Sequence, residues 1–224
     1  GRLTSVTFAS GTPDQGQKQF EYDTAGNLTA SVDENGRRTQ YQYDVMNRLL
    51  RATQPDPDGV GPLPPPVTQF TYDSLGNILT STDAANHTTT YEYNARNAVS
   101  RITDANGATT IYTYNNSGNV AVINDELGHT TQYLYDARQR RIETIDPDGG
   151  HTRFEYDVAD NLTAVVDPAG NRTEYTYDAR NRLTREKDPL GKFAFYAYDA
   201  ANNRISTTDR NSRQITYSYD DLNR

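Results

Sequence analysis

The chain has 224 residues, no Cys, no Trp, a formal net charge of −8 and a hydrophobic fraction of 34%. The charge disfavours nucleic acid as a partner, because phosphate binding needs clustered Lys and Arg and the arginines here are spread one or two to a unit. Absence of Cys removes disulfides, thiolate chemistry and cysteine-ligated metal, and no apolar run approaches the ~18 residues of a membrane-spanning helix.

Read from the N-terminus, Gly1-Arg2-Leu3 carries no targeting signature and reads as the middle of a repeat. The first complete signature, Phe20-Glu-Tyr22, then recurs to the end of the chain. The closing tyrosine stands at Tyr22, Tyr43, Tyr72, Tyr93, Tyr114, Tyr135, Tyr156, Tyr177, Tyr198 and Tyr219, and every step is 21 residues except the 29 from Tyr43 to Tyr72. Two places earlier there is always an aromatic: Phe20, Tyr41, Phe70, Tyr91, Tyr112, Tyr133, Phe154, Tyr175, Tyr196 or Tyr217. A fixed period of this kind is a repeat architecture, in which each unit buries its face against its neighbours. The low hydrophobic fraction raises the alternative of disorder, but disordered chains are poor in aromatics and do not hold them in register.

After each tyrosine comes a turn. Asp23, Asp44, Asp73, Asn94, Asn115, Asp136, Asp157, Asp178, Asp199 and Asp220 open it, placed to bond the turn backbone as Asx-turns do. Four places after the tyrosine stand Gly26, Asn47, Gly76, Asn97, Gly118, Gln139, Asp160, Asn181, Asn202 and Asn223. All but Gln139 are residue types that tolerate φ > 0, so a steric requirement is expected there. A second turn follows half a repeat later. It reads Asp33-Glu-Asn-Gly36, Asp104-Ala-Asn-Gly107, Asp125-Glu-Leu-Gly128, Asp146-Pro-Asp-Gly149, Asp167-Pro-Ala-Gly170 and Asp188-Pro-Leu-Gly191. These are type I preferences, and Asn35-Gly36 and Asn106-Gly107 are also hairpin signals.

Between the turns lie short runs such as Thr88-Thr-Thr-Tyr-Glu-Tyr93 and Leu162-Thr-Ala-Val-Val166, which have strand composition. No stretch between breakers is long enough for a helix. The expected fold is all-β: an array of antiparallel hairpins, two strands to a repeat, in one long sheet that coils through its own twist. The whole of 1–224 reads as a single array and a fragment of a longer protein. Its one interruption, 54–67, contains Pro55-Asp-Pro-Asp-Gly59 and Pro64-Pro-Pro66 and is expected to be a surface loop, since Pro cannot join a ladder; a proline-rich ligand motif is the other reading. Strand period 2 puts both aromatics of each pair on one face. Their phenol tips suit a half-wet wall, or Tyr is there only as a good strand former.

Tyr22-Asp-Thr-Ala-Gly-Asn-Leu28 and Tyr72-Asp-Ser-Leu-Gly-Asn-Ile78, each followed by a second turn and repeated at the same period, resemble the Rhs/YD-repeat family. Its members include bacterial polymorphic toxin shells, the C components of insecticidal toxin complexes, wall-associated proteins and teneurins. The resemblance covers the whole chain. It implies a β-sheet spiralling into a hollow shell, around a C-terminal toxin domain in the toxin members. It marks Asp23, Gly26, Asn27, Gly76, Asn77, Gly118 and Asn119, with the ten tyrosines, as repeat-defining structural positions. The chain departs from full-length members in showing neither a toxin domain nor a plug. Family shells end in a self-cleavage segment containing Asp-Pro-x-Gly, which Asp188-Pro189-Leu190-Gly191 resembles, but ordinary repeat follows it.

The search for chemistry finds no singular site. His87, His129 and His151 each follow a second turn, with no ligand spacing for a metal. Paired carboxylates recur with the turns, whereas glycoside hydrolysis needs one pocket. Asp33-Glu-Asn-Gly36 lacks the full calcium-loop pattern. No catalytic, cofactor or metal residue is expected. Five places after each tyrosine, Asn27, Asn77, Asn119, Asn161 and Asn203 alternate with Arg48, Arg140, Arg182 and Arg224, with Ala98 the exception. An Arg in every second unit is expected to relieve a row of turn aspartates, where like charges would oppose each other. Duplication of a two-repeat block is the simpler origin of the alternation.

Two functions fit. The first is a non-catalytic shell segment of a secreted or cell-surface protein, walling off or presenting a cargo and partnered by the rest of its own polypeptide. The second is an extracellular carbohydrate-binding or adhesion module whose exposed tyrosines stack on glycans. Bare strand edges also predict self-association of the fragment.

Overall fold

The computed structural model describes residues 2–8, 16–59, 61–220 and 222–224. Gly1 and Val60, which the sequence reading placed in the first repeat and in the proline-rich loop, lie outside the described residues. The chain divides into two compact units, Gly1–Ile111 and Tyr112–Arg224. All regular structure among the described residues is β, in twenty strands, about two to each repeat.

In the first unit the strands are β1 (Ser5–Phe8), β2 (Gly16–Tyr22), β3 (Leu28–Val32), β4 (Arg38–Tyr43), β5 (Leu49–Thr53), β6 (Val67–Tyr72), β7 (Ile78–Thr82), β8 (Thr88–Tyr93) and β9 (Val99–Thr103). The next strand, β10 (Thr109–Tyr114), runs through the division. The second unit holds β11 (Val120–Asn124), β12 (Thr130–Tyr135), β13 (Arg141–Ile145), β14 (His151–Tyr156), β15 (Leu162–Val166), β16 (Arg172–Tyr177), β17 (Leu183–Lys187), β18 (Phe193–Tyr198), β19 (Arg204–Thr208) and β20 (Gln214–Thr216). Within each unit, strands that follow one another in sequence pair antiparallel. Examples are Ser31 opposite Thr39 in the first unit and Val165 opposite Thr173 in the second.

Two kinds of hairpin alternate. Across the second turn the register is regular: Val32 faces Arg38 and Ala30 faces Gln40. Across the turn after the tyrosine the register slips by one. Tyr22 faces Leu28 while Glu21 faces Ala30, so Thr29 is the extra residue of a β-bulge. The same slip follows Tyr43, Tyr72, Tyr93, Tyr135, Tyr156, Tyr177 and Tyr198.

Both turns are built alike: a type I turn closed by a residue in the left-handed region, the three-residue hairpin loop. In the first, Gly26 N–H donates to Asp23 O at 3.2 Å and Asp23 N–H to Asn27 O at 3.0 Å. In the second, Gly36 N–H donates to Asp33 O at 3.0 Å and Asp33 N–H to Arg37 O at 2.9 Å. Asn35-Gly36 and Asn106-Gly107 do close hairpins, as expected, but through this three-residue loop and not a two-residue one. A two-residue type I′ turn needs φ > 0 at both central residues, and here only Gly36 (75°) and Gly107 (84°) have it. Asn86 (65°) and Ser212 (64°) fill the same role where the second turn has no Gly.

The proline-rich segment lies between β5 and β6. Thr53 still faces Val67, and Gln54 N–H donates to Pro66 O at 2.8 Å, closing the neck beneath a largely exposed loop.

Each unit is a sheet one layer thick. Along β4, Tyr41 and Tyr43 are half-buried and Gln42 between them is exposed, so the aromatics share a face. Among the described residues no large side chain is fully buried; the core residues are Ala30, Ala164 and Ala194. Each of these alanines lies under an ion pair that spans its strand. Arg38 on β4 reaches Glu21 on β2 above Ala30 (2.5 Å), and Arg172 on β16 reaches Glu155 on β14 above Ala164 (2.5 Å). On the tyrosine face Arg210 pairs with Glu186, which lies opposite Ala194. A side chain longer than a methyl would force these pairs apart. Ala164→Leu is expected to cost about 1–3 kcal/mol, the usual range for overpacking, read as a lower denaturant midpoint. Ala159→Leu, in an exposed turn, serves as the control and should leave the midpoint unchanged.

Candidate functional site

The feature that repeats most closely is the strip of side chains along the turns that follow the tyrosines. Each turn aspartate is a hub. Asp23 Oδ1 accepts from the N–H groups of Gly26 (2.6 Å) and Asn27 (2.8 Å), and its Oδ2 accepts from the Asn27 amide at 2.8 Å. Asp178 Oδ1 accepts from the N–H groups of Arg180 (2.8 Å) and Arg182 (3.1 Å), and its Oδ2 from Arg182 Nε at 2.7 Å. Hydrogen bonds to the ionised form favour it. The Asn27 side chain thus holds Asp23 below the ordinary carboxylate value, and the Arg182 side chain does the same for Asp178.

The position four after the tyrosine is left-handed in every repeat, from Asn181 (59°) to Gly26 (102°), and includes Gln139 (66°). The position after it joins one repeat to the next, in two ways. Asn is short and bonds an amide. The side-chain N–H of Asn27 donates to Asn47 Oδ1 (2.7 Å), Asn119 to Gln139 Oε1 (2.8 Å), Asn161 to Asn181 Oδ1 (2.9 Å) and Asn203 to Asn223 Oδ1 (2.8 Å); Asn77 and Asn97 make the same pair. Gln139 therefore keeps the acceptor that an apolar residue would lose.

Arg is long and makes three contacts. Arg48 Nε pairs with its own Asp44 at 2.6 Å, its Nη1 donates to Asp73 O at 2.8 Å, and its guanidinium lies 4.6 Å from the Tyr72 ring centre. Arg140 repeats this with Asp136, Asp157 O (3.0 Å) and the Tyr156 ring (4.7 Å), and adds Asp160 Oδ1 at 2.7 Å. Arg182 repeats it with Asp178, Asp199 O (2.9 Å) and the Tyr198 ring (4.8 Å). These arginines lie in direct contact with turn carboxylates, as charge relief requires, and the backbone and ring contacts come in addition. Where Arg gives way to Ala98, the turn opens with Asn94 in place of Asp, so the cation and its anion are missing together.

Sequence reading missed a further member. Arg2 Nη1 donates to Asp23 O at 3.2 Å and the guanidinium faces the Tyr22 ring at 5.7 Å, two of the same contacts one repeat before Asn27. The separation of Arg2 from Asn27 differs from 21, which hid it.

Seven of the closing tyrosines place their hydroxyls on fixed backbone partners. Tyr72 donates to Leu49 O (2.7 Å), Tyr93 to Ile78 O (2.9 Å), Tyr135 to Val120 O (2.8 Å), Tyr156 to Arg141 O (2.9 Å), Tyr177 to Leu162 O (2.9 Å) and Tyr219 to Arg204 O (3.1 Å). Tyr22 reaches Leu3 O at 2.9 Å. Leu49 and Leu162 are the residues that face Tyr43 and Tyr156 beside the bulge. Each phenol thus satisfies a carbonyl of the preceding repeat that the bulged ladder leaves over. Burial raises the Tyr93 and Tyr177 phenols above their ordinary value.

The histidines belong to the second turns. His87 Nδ1 lies 3.1 Å from Asp83 and His129 Nδ1 3.0 Å from Asp125, each four places after the turn acid, whereas His151 turns to Glu143 at 2.9 Å. They stand in separate repeats. Among the described residues no helix is long and apolar enough to cross a membrane.

A protein-family model described as RHS Repeat matches residues 22–58, 72–109, 93–130, 114–151, 135–172, 156–192 and 198–224. No curated protein matches the chain. Among solved structures, the crystal structure of TcdB2-TccC3-TEV is similar over 95% of this chain, with a TM-score of 0.73 and 18% identity. The Photorhabdus luminescens Tc holotoxin pore carrying the TccC3-D651A mutation is similar over 92%, with a TM-score of 0.58 and 15% identity. The alignments cover 13% and 14% of those chains, so this chain spans about one seventh of their length.

Proposed function

Because this chain belongs to the RHS repeat family, we propose that it is a non-catalytic structural segment of a secreted or surface-borne protein, one continuous array of repeats 1–224 that walls off or presents a cargo elsewhere in the same polypeptide. The observation that carries this reading is the use made of the polar groups. The turn aspartates, the amides and guanidiniums five places after the tyrosines, and the hydroxyls of seven closing tyrosines are engaged within a repeat or between neighbours. A catalytic site needs groups held in one place against a substrate, and here the same few kinds of group recur along the array to join one repeat to the next. Similarity to solved Tc toxin components supports a place in a larger polypeptide.

The carbohydrate-binding alternative has less support. Stacking on a sugar needs an open ring face, and guanidiniums already lie over Tyr72, Tyr156 and Tyr198.

Limited proteolysis of the full-length polypeptide tests the reading. Sequence outside the repeats should resist cleavage while the array is folded and be cut rapidly once it is unfolded. Equal cleavage in both states would reject the walling role, and retention of the intact protein on a glycan array would favour the alternative.

A further inference from the structure

The alternation of Arg and Asn has a consequence for how repeats recognise one another, and it does not depend on the walling role. Each clamping arginine holds two successive turns. Arg140 bonds its own Asp136, the Asp157 carbonyl and the Asp160 carboxylate of the next turn, and covers Tyr156. Arg182 ties the turn of Asp178 to that of Asp199 in the same way. Between these clamped pairs the link is thinner: Asn161 gives one neutral amide bond to Asn181.

The two kinds of link do not follow themselves. The turn that receives a guanidinium from behind already has its aspartate bonded by a short Asn: Asp157 by Asn161, Asp199 by Asn203. A second Arg in that place would bring another cation to the same carboxylate and beside the first guanidinium, where like charges oppose each other. Two Asn links in succession would leave a turn carbonyl and a tyrosine ring without their guanidinium.

We infer that the position five after each tyrosine is a neighbour-recognition residue, and that the unit of assembly in this array is a 42-residue pair, one Arg-type repeat with the Asn-type repeat after it. The partner surface that an Arg-type repeat accepts is thereby specified: an Asp-opened turn, a tyrosine ring beneath the guanidinium, and an Asn at that turn's own fifth position. A strand meander of near-identical repeats risks pairing one repeat out of step, and an alternating code discriminates against that slip because register is otherwise weakly specified.

Three deletions test this in the 224-residue chain. Removing 157–198 takes out 42 residues and leaves Arg140 against the turn of Asp199 and Asn203. Removing 157–177 sets Arg140 against Arg182; removing 178–198 sets Asn161 against Asn203. Pairing predicts that both 21-residue deletions melt below the 42-residue deletion, by about 5 °C or more, although they retain more repeats. If stability instead falls steadily with the number of repeats removed, as nearest-neighbour terms of equal strength require, the inference fails. Native-state hydrogen exchange on the unaltered chain decides the matter should a deletion not fold. The strands flanking Tyr135 and Tyr156 should open in one step with equal protection. Opening one repeat at a time overturns the pairing.

Discussion

Acidification below pH 4 should unfold this chain cooperatively, and the turn aspartates are the reason. Asp23, Asp44, Asp73, Asp157, Asp178 and Asp199 all titrate below their ordinary value of 3.8, and in each the bonds from the residue four places on are the leading cause. The sign follows from linkage. A carboxyl with a lowered native pKa binds its proton more readily when unfolded, so stability rises with pH, and is lost on acidification, wherever the unfolded chain takes up more protons. The contribution is present above 3.8 and is lost as the pH drops through the native values. These groups are half-buried in surface turns, where solvent still screens them, so each contributes little; the effect comes from their number and from the loss of the Arg clamps along with them. Circular dichroism should show the strand signal vanish below about pH 4 and return on neutralisation. The substitution Asp178→Asn isolates one member. Its cost in denaturant midpoint should be largest at pH 7 and shrink toward the lowest pH at which the chain folds, because there the native carboxyl is neutral too. A cost that stays constant with pH would rule the linkage out.

The second large effect is expected at the left-handed turn position. Asn181 sits at φ 59° and its Oδ1 accepts from Asn161 at 2.9 Å. A β-branched residue there clashes with its own backbone, at about 1–2 kcal/mol, and the lost bond adds about 1 kcal/mol. Asn181→Val should therefore lower the melting temperature by about 5–10 °C for a chain of this size. Asn181→Gly separates the two terms. Glycine adopts the dihedral without strain, so only the smaller part of the loss should remain. If Val and Gly cost the same, the dihedral is not what the turn demands of its sequence.

The strands and turns were legible because their requirements are local. Aromatic-x-Tyr at strand spacing fixes a face, and a left-handed φ excludes most side chains, so Gly, Asn and Asp mark the turn. The reading weakened where chemistry outlived the marker. Asn86 and Ser212 take left-handed positions without Gly, and both turns proved to be one design although their sequences look different. The partners of the tyrosine hydroxyls were not legible at all. They are backbone carbonyls, which Leu, Ile, Val or Arg supplies equally well, so nothing at residues such as Leu162 or Arg141 announces them. The trace lay in the tyrosines themselves: the first aromatic of the pair is Phe at Phe20, Phe70 and Phe154, whereas the second is Tyr in all ten repeats. The roofed alanines left no trace, since Ala30 and Ala164 are unremarkable until the ion pairs above them are seen. Arg2 escaped because its spacing breaks the 21-residue beat.

The turn acids, their amide and guanidinium partners and the closing tyrosine hydroxyls join the repeats of this chain. Comparing Tyr177→Phe with Tyr175→Phe tests this most directly, since each variant removes one hydroxyl from the same strand. The Tyr177 hydroxyl caps Leu162 O. Its removal leaves a part-buried carbonyl without a partner and should cost about 1 kcal/mol or more in unfolding free energy, while Tyr175→Phe, at a position where Phe already serves other repeats, should cost close to nothing. Equal costs at the two positions, or a larger one at Tyr175, would show that the closing hydroxyl does not hold neighbouring repeats together.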